Sequence, residues 1–334
     1  MSGGKTDVVV RRSGLDIAST TSLLELPIEL VVPILEPLDL LTLLEVENCH
    51  NRLATLGHQV TVECVKIPTY ALEMLVGDQE NKWALLENPS VLDGRHVNTV
   101  LFENSRDYAD EVKELPSFTC TNLIFFNLRG SAFFDANLLK SLAPKYIHLS
   151  AWVNGLEELD SLKCPIWISQ IKVFQLAQVL LDFKAPKLAF GTERADERLL
   201  DLIFNFIDDW MTGHREIETI WIWPRGWAHN DEAYTRWYYE VVDIFEDDYP
   251  DDNLGFMEMA LPELAKKYAL ATNSTGIIRG QVVREDGKVL NIRGQDTDIV
   301  VQAPGATTKF VACLPPDVYF SPQPELQHLE APEF

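Results

Sequence analysis

Four short runs with the composition of β-strands recur in the middle of the chain: VNTVLF at residues 97–102, TNLIFF at 121–126, KYIHLS at 145–150 and IKVFQL at 171–176. Each run is rich in β-branched and aromatic residues, which favour β-strands. A new run begins about every 24 to 26 residues, within the range of roughly 20–29 residues that is typical of leucine-rich repeats. Because a unit of this size cannot bury its own apolar face, the pattern predicts neighbouring units stacked into one curved, parallel α/β array.

The pattern changes toward the C-terminal half of the chain. A short apolar run, PKLAF at 186–190, comes early, and the next clear strand, IETIWI at 217–222, follows an amphipathic helix predicted over residues 195–212. One stripe of that helix is apolar and consists of Leu199, Leu202, Ile203, Phe206 and Trp210. A β-hairpin is predicted over 276–301, because Asp-Gly at 286–287 is a strong hairpin signal. The loss of regularity leaves a plain α/β domain as the alternative to a repeat array.

Composition divides the chain into five parts. We expect a flexible leader at 1–21, a compact helical module at 22–58, a helical linker at 59–96, the repeat-like array with its late β-hairpin at 97–303, and a loose proline-rich tail at 304–334. The fold class that follows is α/β, or α+β over the whole chain, with three short helices at the N-terminus.

Net charge restricts the kind of partner. The 334 residues carry 51 acidic against 28 basic side chains, a net charge of −23. This charge repels phosphate backbones and anionic lipid surfaces, so we expect neither nucleic acid nor a membrane as partner. A basic protein target is the expectation that remains.

The cysteines and the N-terminus bear on the compartment. Five scattered cysteines with no C-x-x-C spacing fit a reducing cytoplasmic or nuclear environment. Residues 1–22 lack the apolar core of a signal peptide. The apolar segment at 23–46 contains acidic residues and prolines throughout, which argues against a membrane span.

The leucine-rich segment at 23–56 reads as three short helices. Pro27 suits the first turn of a helix, and Asp39 is the expected N-cap of the second helix. Apolar residues follow at four-residue steps: Leu30, Ile34 and Leu38. The unit has more leucine than three short helices can cover, and an exposed apolar patch on a small unit marks a partner surface. The alternative is an ordinary helical hairpin.

The same segment resembles the F-box, a short N-terminal helical motif that binds Skp1. The resemblance rests on LPIEL at 26–30, IL at 34–35, LDLL at 38–41, LEV at 44–46 and CHNRL at 49–53. It implies that Skp1, and through it a cullin, binds a set of apolar residues: Leu26, Pro27, Leu30, Ile34, Leu35, Leu38, Leu41 and Leu44.

Two prolines depart from the F-box pattern. Pro33 falls inside the first helix, where it removes a backbone hydrogen bond at a cost of about 3 kcal/mol and is expected to kink or break the helix. Pro37 stands where the family has an aromatic or small residue. Both changes put the strength of Skp1 binding in question.

The body is similar to the F-box-associated region of nematode F-box proteins. The similarity rests on LL at 138–139 with IHL at 147–149, LLDLIF at 199–204, WMTG at 210–213, IETI at 217–220, and REDGK at 284–288 with Ile292. It implies a target-binding body in a ubiquitin ligase adaptor, with no chemistry in the chain itself. The alternative is a stoichiometric binder that neutralises a toxic partner without the ligase.

The sequence contains no signature of an enzyme or a cofactor site. No phosphate-binding loop, nucleophile elbow or zinc-protease motif is present, so we expect no catalytic residue and no cofactor. The spacing of Cys49, His50, His58 and Cys64 fits no standard zinc pattern, and we expect the two cysteines to be buried apolar residues. HNDE at 229–232 reads as a polar loop.

The candidate target contacts are the strand edges of the array or a loop in the aromatic stretch at 221–239. That stretch combines a loop-like sequence with aromatic and arginine side chains, which are typical interface anchors: Trp223, Arg225, Trp227 and Tyr234. The residues at 237–265 that follow contain no lysine or arginine, and we expect them to steer a basic target toward this loop. The alternatives are core packing for the aromatic residues and a solvated surface for the acidic ones.

Overall fold

A computed structural model describes most of the chain. It covers residues 23–68, 74–77, 83–103, 116–126, 140–149, 162–171, 183–192, 197–223, 252–295, 298–314 and 325–331. Within these residues, no helix is both long and apolar enough to cross a membrane.

Three short helices begin the described chain, and strands dominate the rest. The helices are α1 (Ile28–Leu35), α2 (Leu40–Cys49), α3 (Asn51–Gly57), α4 (Glu197–Met211) and α5 (Asp252–Tyr268). Short 3-10 helices occupy Leu23–Glu25 and Pro89–Leu92. The strands before α4 are β1 (Val62–Pro68), β2 (Met74–Gly77), β3 (Trp83–Leu86), β4 (His96–Glu103), β5 (Thr119–Phe126), β6 (Tyr146–Leu149), β7 (Ile166–Ile171) and β8 (Lys187–Thr192). Those after α4 are β9 (Thr219–Trp223), β10 (Ala271–Thr272), β11 (Ile278–Val283), β12 (Val289–Gly294), β13 (Ile299–Gln302), β14 (Lys309–Leu314) and β15 (Glu325–Glu330).

One large sheet organises the molecule. Within the described residues it has thirteen strands, in the order β10-β11-β12-β13-β9-β8-β7-β6-β5-β4-β1-β2-β3. The run from β9 to β1 is parallel throughout, while both ends of the sheet are antiparallel. The fold is therefore mixed α/β around a large, mostly parallel sheet, as the strand pattern predicted at this level.

The predicted strands at 97, 121 and 145 are confirmed as parallel neighbours. Val97 lies opposite Cys120, and Asn122 lies opposite Tyr146. The predicted start at 171 is wrong, because β7 begins at Ile166 and pairs that residue with Ile147. The sequence has two apolar runs here, one that begins at Ile166 and one at Ile171. The earlier run forms the strand, and its Ile166 and Ile168 are buried in the sheet.

The strands predicted near 171 and 217 are not neighbours. Strand β8 lies between β7 and β9 and pairs in parallel with both. The run PKLAF at 186–190, which was interpreted as a loss of regularity, supplies this strand because Leu188 and Phe190 complete the buried face.

The helical linker predicted at 59–96 is wrong in its described part. Strands β1, β2 and β3 lie there, and β1 extends the parallel run by pairing Val65 with Val100. Short segments such as WALL at 83–86 fit a helix as well as a strand by composition. Pairing with an existing sheet edge decides in favour of the strand.

The loose tail predicted at 304–334 is also wrong where it is described. Strands β14 and β15 pair antiparallel and form a separate two-stranded sheet. The prolines that suggested a loose tail flank these strands and do not occur inside them, so they do not interrupt the backbone pairing.

The helix and hairpin predicted after the repeats are confirmed. Helix α4 buries its predicted stripe, with Leu199 and Ile203 fully enclosed. Strands β11 and β12 form the hairpin around Asp286-Gly287, where Gly287 has a φ of 83° that favours glycine.

Different elements of the chain pack against the two faces of the sheet. On one face, alternate strand residues such as Leu123, Ile147 and Leu188 form the main core with α4 and α5. On the other face, a second cluster contains Trp167, Ala189, Trp221 and Val300 together with Phe310 of β14. The β14–β15 hairpin therefore covers part of the face opposite the helices.

Candidate functional site

The N-terminal module, described over residues 23–58, is the candidate site, and side chains of the module cap the N-termini of α2 and α3. Asp39 is the N-cap of α2, as predicted, with Oδ1 accepting from the Thr42 amide at 2.9 Å and Oδ2 from the Thr42 hydroxyl at 2.6 Å. Burial alone would raise the pKa of Asp39, but these hydrogen bonds outweigh it and lower the pKa. His50 caps α3 by accepting from the Arg52 amide at 3.0 Å.

The prolines of α1 do not end the helix. Pro27 is its N-cap, and the Pro27 carbonyl accepts from the Leu30 amide at 3.0 Å. The helix continues through Pro33 to Leu35, so the expected break at Pro33 is not observed. The Glu36 amide still donates to the Val32 carbonyl at 2.9 Å, and Pro37 follows the helix end.

Half of the predicted Skp1-binding set holds the module together or joins it to the body. Leu35 is 1% exposed and belongs to the small core of the three helices, against which Leu26 and Leu38 pack half-buried. Leu44 is half-buried and packs against the main core of the sheet. These four residues fix the shape of the surface and present little apolar area to a partner.

The remaining predicted residues lie at the surface. Leu30 is 53% exposed, Ile34 43% and Leu41 40%, and Pro27 is exposed beside them in the chain. The described part of the chain exposes seven large apolar side chains, and four of them lie between residues 28 and 41. We use the name apolar patch for these four exposed side chains of the module, Ile28, Leu30, Ile34 and Leu41, of which Leu30 and Ile34 share a face of α1.

Ile28 was missed by the sequence prediction. It is 41% exposed at the first position of α1. Side chains on a helix lean toward its N-terminus and cover the preceding turn. A residue at the first helical position has no preceding turn to cover, so its side chain is left exposed. The position of Ile28 directly after Pro27 in the sequence could have predicted this exposure.

Arg52 fixes the segment that leads into α1. Its guanidinium donates to the Leu24 carbonyl and, at 2.6 Å, to the Leu26 carbonyl. Two backbone carbonyls before the helix are thereby tied to α3. The direction in which Pro27 and Ile28 enter α1 is set by this arginine.

A buried ion pair joins the module to the sheet. Arg95, which precedes β4, donates from one guanidinium nitrogen to both carboxylate oxygens of Glu47 on α2, at 2.7 Å each. The same guanidinium donates to the Gly57 carbonyl at 2.9 Å and to the Val91 carbonyl at 2.8 Å. A Cβ at Gly57 would lie 2.4 Å from Glu47, so glycine is required for this close approach.

The predicted target-contact residues fall mostly outside the described residues. Trp223 is the last residue of β9, whereas Arg225, Trp227 and Tyr234 lie outside the described part of the chain. Of the acidic stretch at 237–265, only residues 252–265 are described, and they belong to α5.

The cysteines and histidines considered for zinc are not a metal site among the described residues. No group of three or more histidine, cysteine or acidic side chains that could hold a metal ion occurs there. Cys64 is buried, and burial raises the pKa of its thiol to about 12. The prediction that Cys49 is buried is wrong, because it is exposed at the end of α2, with Sγ 3.3 Å from the Glu45 carbonyl it donates to. HNDE at 229–232 lies outside the described residues.

The geometry describes a small helical unit with an exposed apolar surface, held firmly to a large sheet. Comparison with known proteins adds no family to this description, since no family model matches the chain and no curated protein matches it.

Proposed function

We propose that this chain is the substrate-recognition adaptor of a Skp1–cullin–F-box ubiquitin ligase. The observation that carries the proposal is the apolar patch, which concentrates the exposed apolar side chains of the described chain on one small module. Large apolar side chains left in water on a small unit are characteristic of a surface that a partner covers.

The patch would bind Skp1 through a few anchors. Leu30 and Ile34 are four residues apart on α1 and therefore share a face of the helix. Leu41 lies on the first turn of α2, just after the Asp39 cap that fixes its backbone. Binding energy in protein interfaces concentrates in a few well-packed side chains, and these three are the candidates.

The module and the body would act as one adaptor because the Arg95–Glu47 pair joins them. The target would be held by the body, and ubiquitin would be transferred by other subunits, so no residue of this chain would perform chemistry. A cytoplasmic or nuclear location and a basic protein target follow from the reducing cysteine pattern and the net charge of −23.

The test is affinity purification of the tagged chain from cells, followed by mass spectrometry. We expect the wild-type chain to recover Skp1 and a cullin, and the double variant Leu30→Ala, Ile34→Ala to lose both. A matched control is Leu85→Ala, Val283→Ala, which removes apolar side chains that are 46% and 59% exposed outside the module. This control should recover Skp1 normally.

The alternative is a stoichiometric binder that acts without the ligase. In that case the wild-type chain would recover a target protein but neither Skp1 nor a cullin. Equal recovery of Skp1 by the wild type and by Leu30→Ala, Ile34→Ala would contradict the role of the patch.

A further inference from the structure

The β14–β15 hairpin is an addition to the sheet and not a part of it. The two strands pair only with each other, forming a separate two-stranded sheet within the described residues. They lie against the face of the large sheet opposite α4 and α5, in contact with β6 and β7. The chain thus folds its own C-terminal region over one face of its main sheet.

Aromatic side chains form the contact between the hairpin and the sheet. The ring of Phe310 on β14 lies 6.4 Å from Trp167 on β7 and 6.3 Å from Trp221 on β9. The two tryptophan rings are 6.3 Å apart and nearly perpendicular. Phe310 is fully buried between residues of two different strands, so the sheet presents a site for one aromatic side chain.

Polar contacts set the position of the hairpin along the sheet. The Thr308 and Thr219 hydroxyls are hydrogen-bonded at 2.7 Å, and Gln302 donates to the Ala306 carbonyl at 2.6 Å. Trp221 is itself fixed, since its indole nitrogen donates to Asp298 at 2.8 Å. The Trp221 ring is therefore held by a contact that the hairpin does not make.

The described residues of the hairpin contribute nothing to the main core. Among the described residues, the main core contains members of the sheet, α2, α4 and α5 but none of β14 or β15, and the buried Phe310 belongs to the smaller second cluster together with residues of the sheet. The connection from β13 runs through Pro304 and Gly305, and Gly305 has a φ of 72°. Two-stranded hairpins have little stability of their own, so this one depends on its seat on the sheet.

We propose that the β14–β15 hairpin is a lid on a protein-binding face of the sheet lined by Trp167, Ala189, Trp221 and Val300. The partner that fits this face is an extended segment of another protein that places an aromatic side chain where Phe310 now lies. The identification of that segment as part of a ligase target rests on the proposed function. The proposal that the hairpin is a lid does not rest on the proposed function.

The chemistry of the partner follows from what the face holds now. A strand with a buried phenylalanine, preceded by a buried threonine, occupies it, and tryptophan edges and faces pack well against another aromatic ring. Recognition of extended peptide segments is recurrent in proteins, and pockets for alternate side chains give it specificity. A target segment would have to displace the hairpin, which makes the hairpin a built-in competitor.

The test uses the full chain and a fluorescein-labelled peptide of residues 306–314, in which Cys313→Ser prevents oxidation. Binding is measured by fluorescence anisotropy for the wild type, for Phe310→Ala, and for Thr219→Cys, Thr308→Cys after oxidation. The last pair replaces hydroxyls that are 2.7 Å apart, close enough for a disulfide that locks the lid. The control peptide carries Phe310→Ala.

We expect Phe310→Ala in the chain to bind the peptide at least about tenfold more tightly than the wild type, because its lid competes less well. The oxidised locked chain should bind no peptide and recover binding on reduction, and the control peptide should bind to none of them. Equal binding by all three chains, or no binding by the Phe310→Ala chain, overturns the proposal.

Hydrogen exchange of the wild-type chain gives a second measurement that needs no variant. The β14–β15 amides should exchange at least about tenfold faster than those of β4 and β5, because the lid opens locally. Exchange of both regions at the same slow rate overturns the proposal. Skp1 recovery by the locked chain reports separately on the proposed function, since the lid lies outside the apolar patch.

Discussion

The N-terminal module and the parallel sheet contain the same types of apolar residue, but the sheet buries them and the module leaves several of them exposed. In the sheet, Leu123 and Ile147 are completely buried, whereas Leu30 and Ile34 in the module remain about half exposed at 53% and 43%. A sheet covered on both faces encloses its side chains, but three helices of seven to ten residues have too little volume to do so. This difference in exposure is the basis of the proposal that a partner covers Leu30 and Ile34.

The largest expected loss of stability comes from breaking the Arg95–Glu47 ion pair, which joins the two regions. Replacing Arg95 by alanine should lower the free energy of unfolding by about 3–5 kcal/mol, because it leaves Glu47 buried without its partner. The Arg95 side chain is 1% exposed and that of Glu47 11%. The measurement is urea unfolding of the full chain.

The matched control for the joint is an exposed ion pair in the lid. Lys309 and Glu330 are 2.8 Å apart with side chains 58% and 66% exposed. Glu330→Ala should change the stability by less than about 1 kcal/mol. Similar losses in the free energy of unfolding for Arg95→Ala and Glu330→Ala would show that the Arg95–Glu47 pair does not hold the module to the sheet.

Adjacent residues of α1 sharpen the comparison within one helix. Leu35→Ala should destabilise the chain by about 2–5 kcal/mol, because it removes a side chain that is 1% exposed from the module core. Ile34→Ala should change stability by no more than about 0.5 kcal/mol, since this side chain is 43% exposed. Thermal unfolding of both variants checks the prediction, and a large loss for Ile34→Ala would mean that the patch serves the fold.

The smallest expected effect lies in the body, at the turn of the β11–β12 hairpin. Arg284 donates a side-chain hydrogen bond to Asp286 at 2.7 Å, and the Lys288 amide also donates to it, so the pKa of Asp286 falls from 3.8 to about 2. A depressed pKa contributes stability that is present above about pH 4 and is lost as the pH falls through about 2.

The check compares urea midpoints of the wild type and Asp286→Asn at about pH 5 and about pH 2.5. At the higher pH the urea midpoint of the wild type should exceed that of Asp286→Asn. The difference between the two midpoints should narrow at the lower pH, because Asp286 takes up a proton. A difference that is the same at both pH values would mean that this carboxylate does not contribute as an anion.

The strand spacing predicted the centre of the sheet correctly because local sequence was sufficient there. The strands at 97, 121 and 145 are each flanked by polar or turn residues, and their β-branched residues stack in register. Strand β8 and strands β1 to β3 were missed because short apolar runs fit helix, strand or loop alike. Pairing with a neighbouring strand, which no local pattern contains, decided them.

The candidate site was predicted in part. The leucine pattern located the module, but four-residue spacing alone could not separate Leu35, which is 1% exposed, from Ile34, which is 43% exposed. That distinction depends on where α3 packs. The Arg95–Glu47 joint could not be predicted either, because its two residues are far apart in sequence and meet only when α2 reaches the sheet.

The most direct test of the adaptor proposal is the affinity of purified Skp1 for the purified chain, measured by isothermal titration calorimetry. The proposal predicts a one-to-one complex whose affinity falls at least about tenfold in Leu30→Ala, Ile34→Ala. It predicts no change in Leu85→Ala, Val283→Ala. Absence of binding by the wild-type chain, or equal affinity for all three chains, would contradict it.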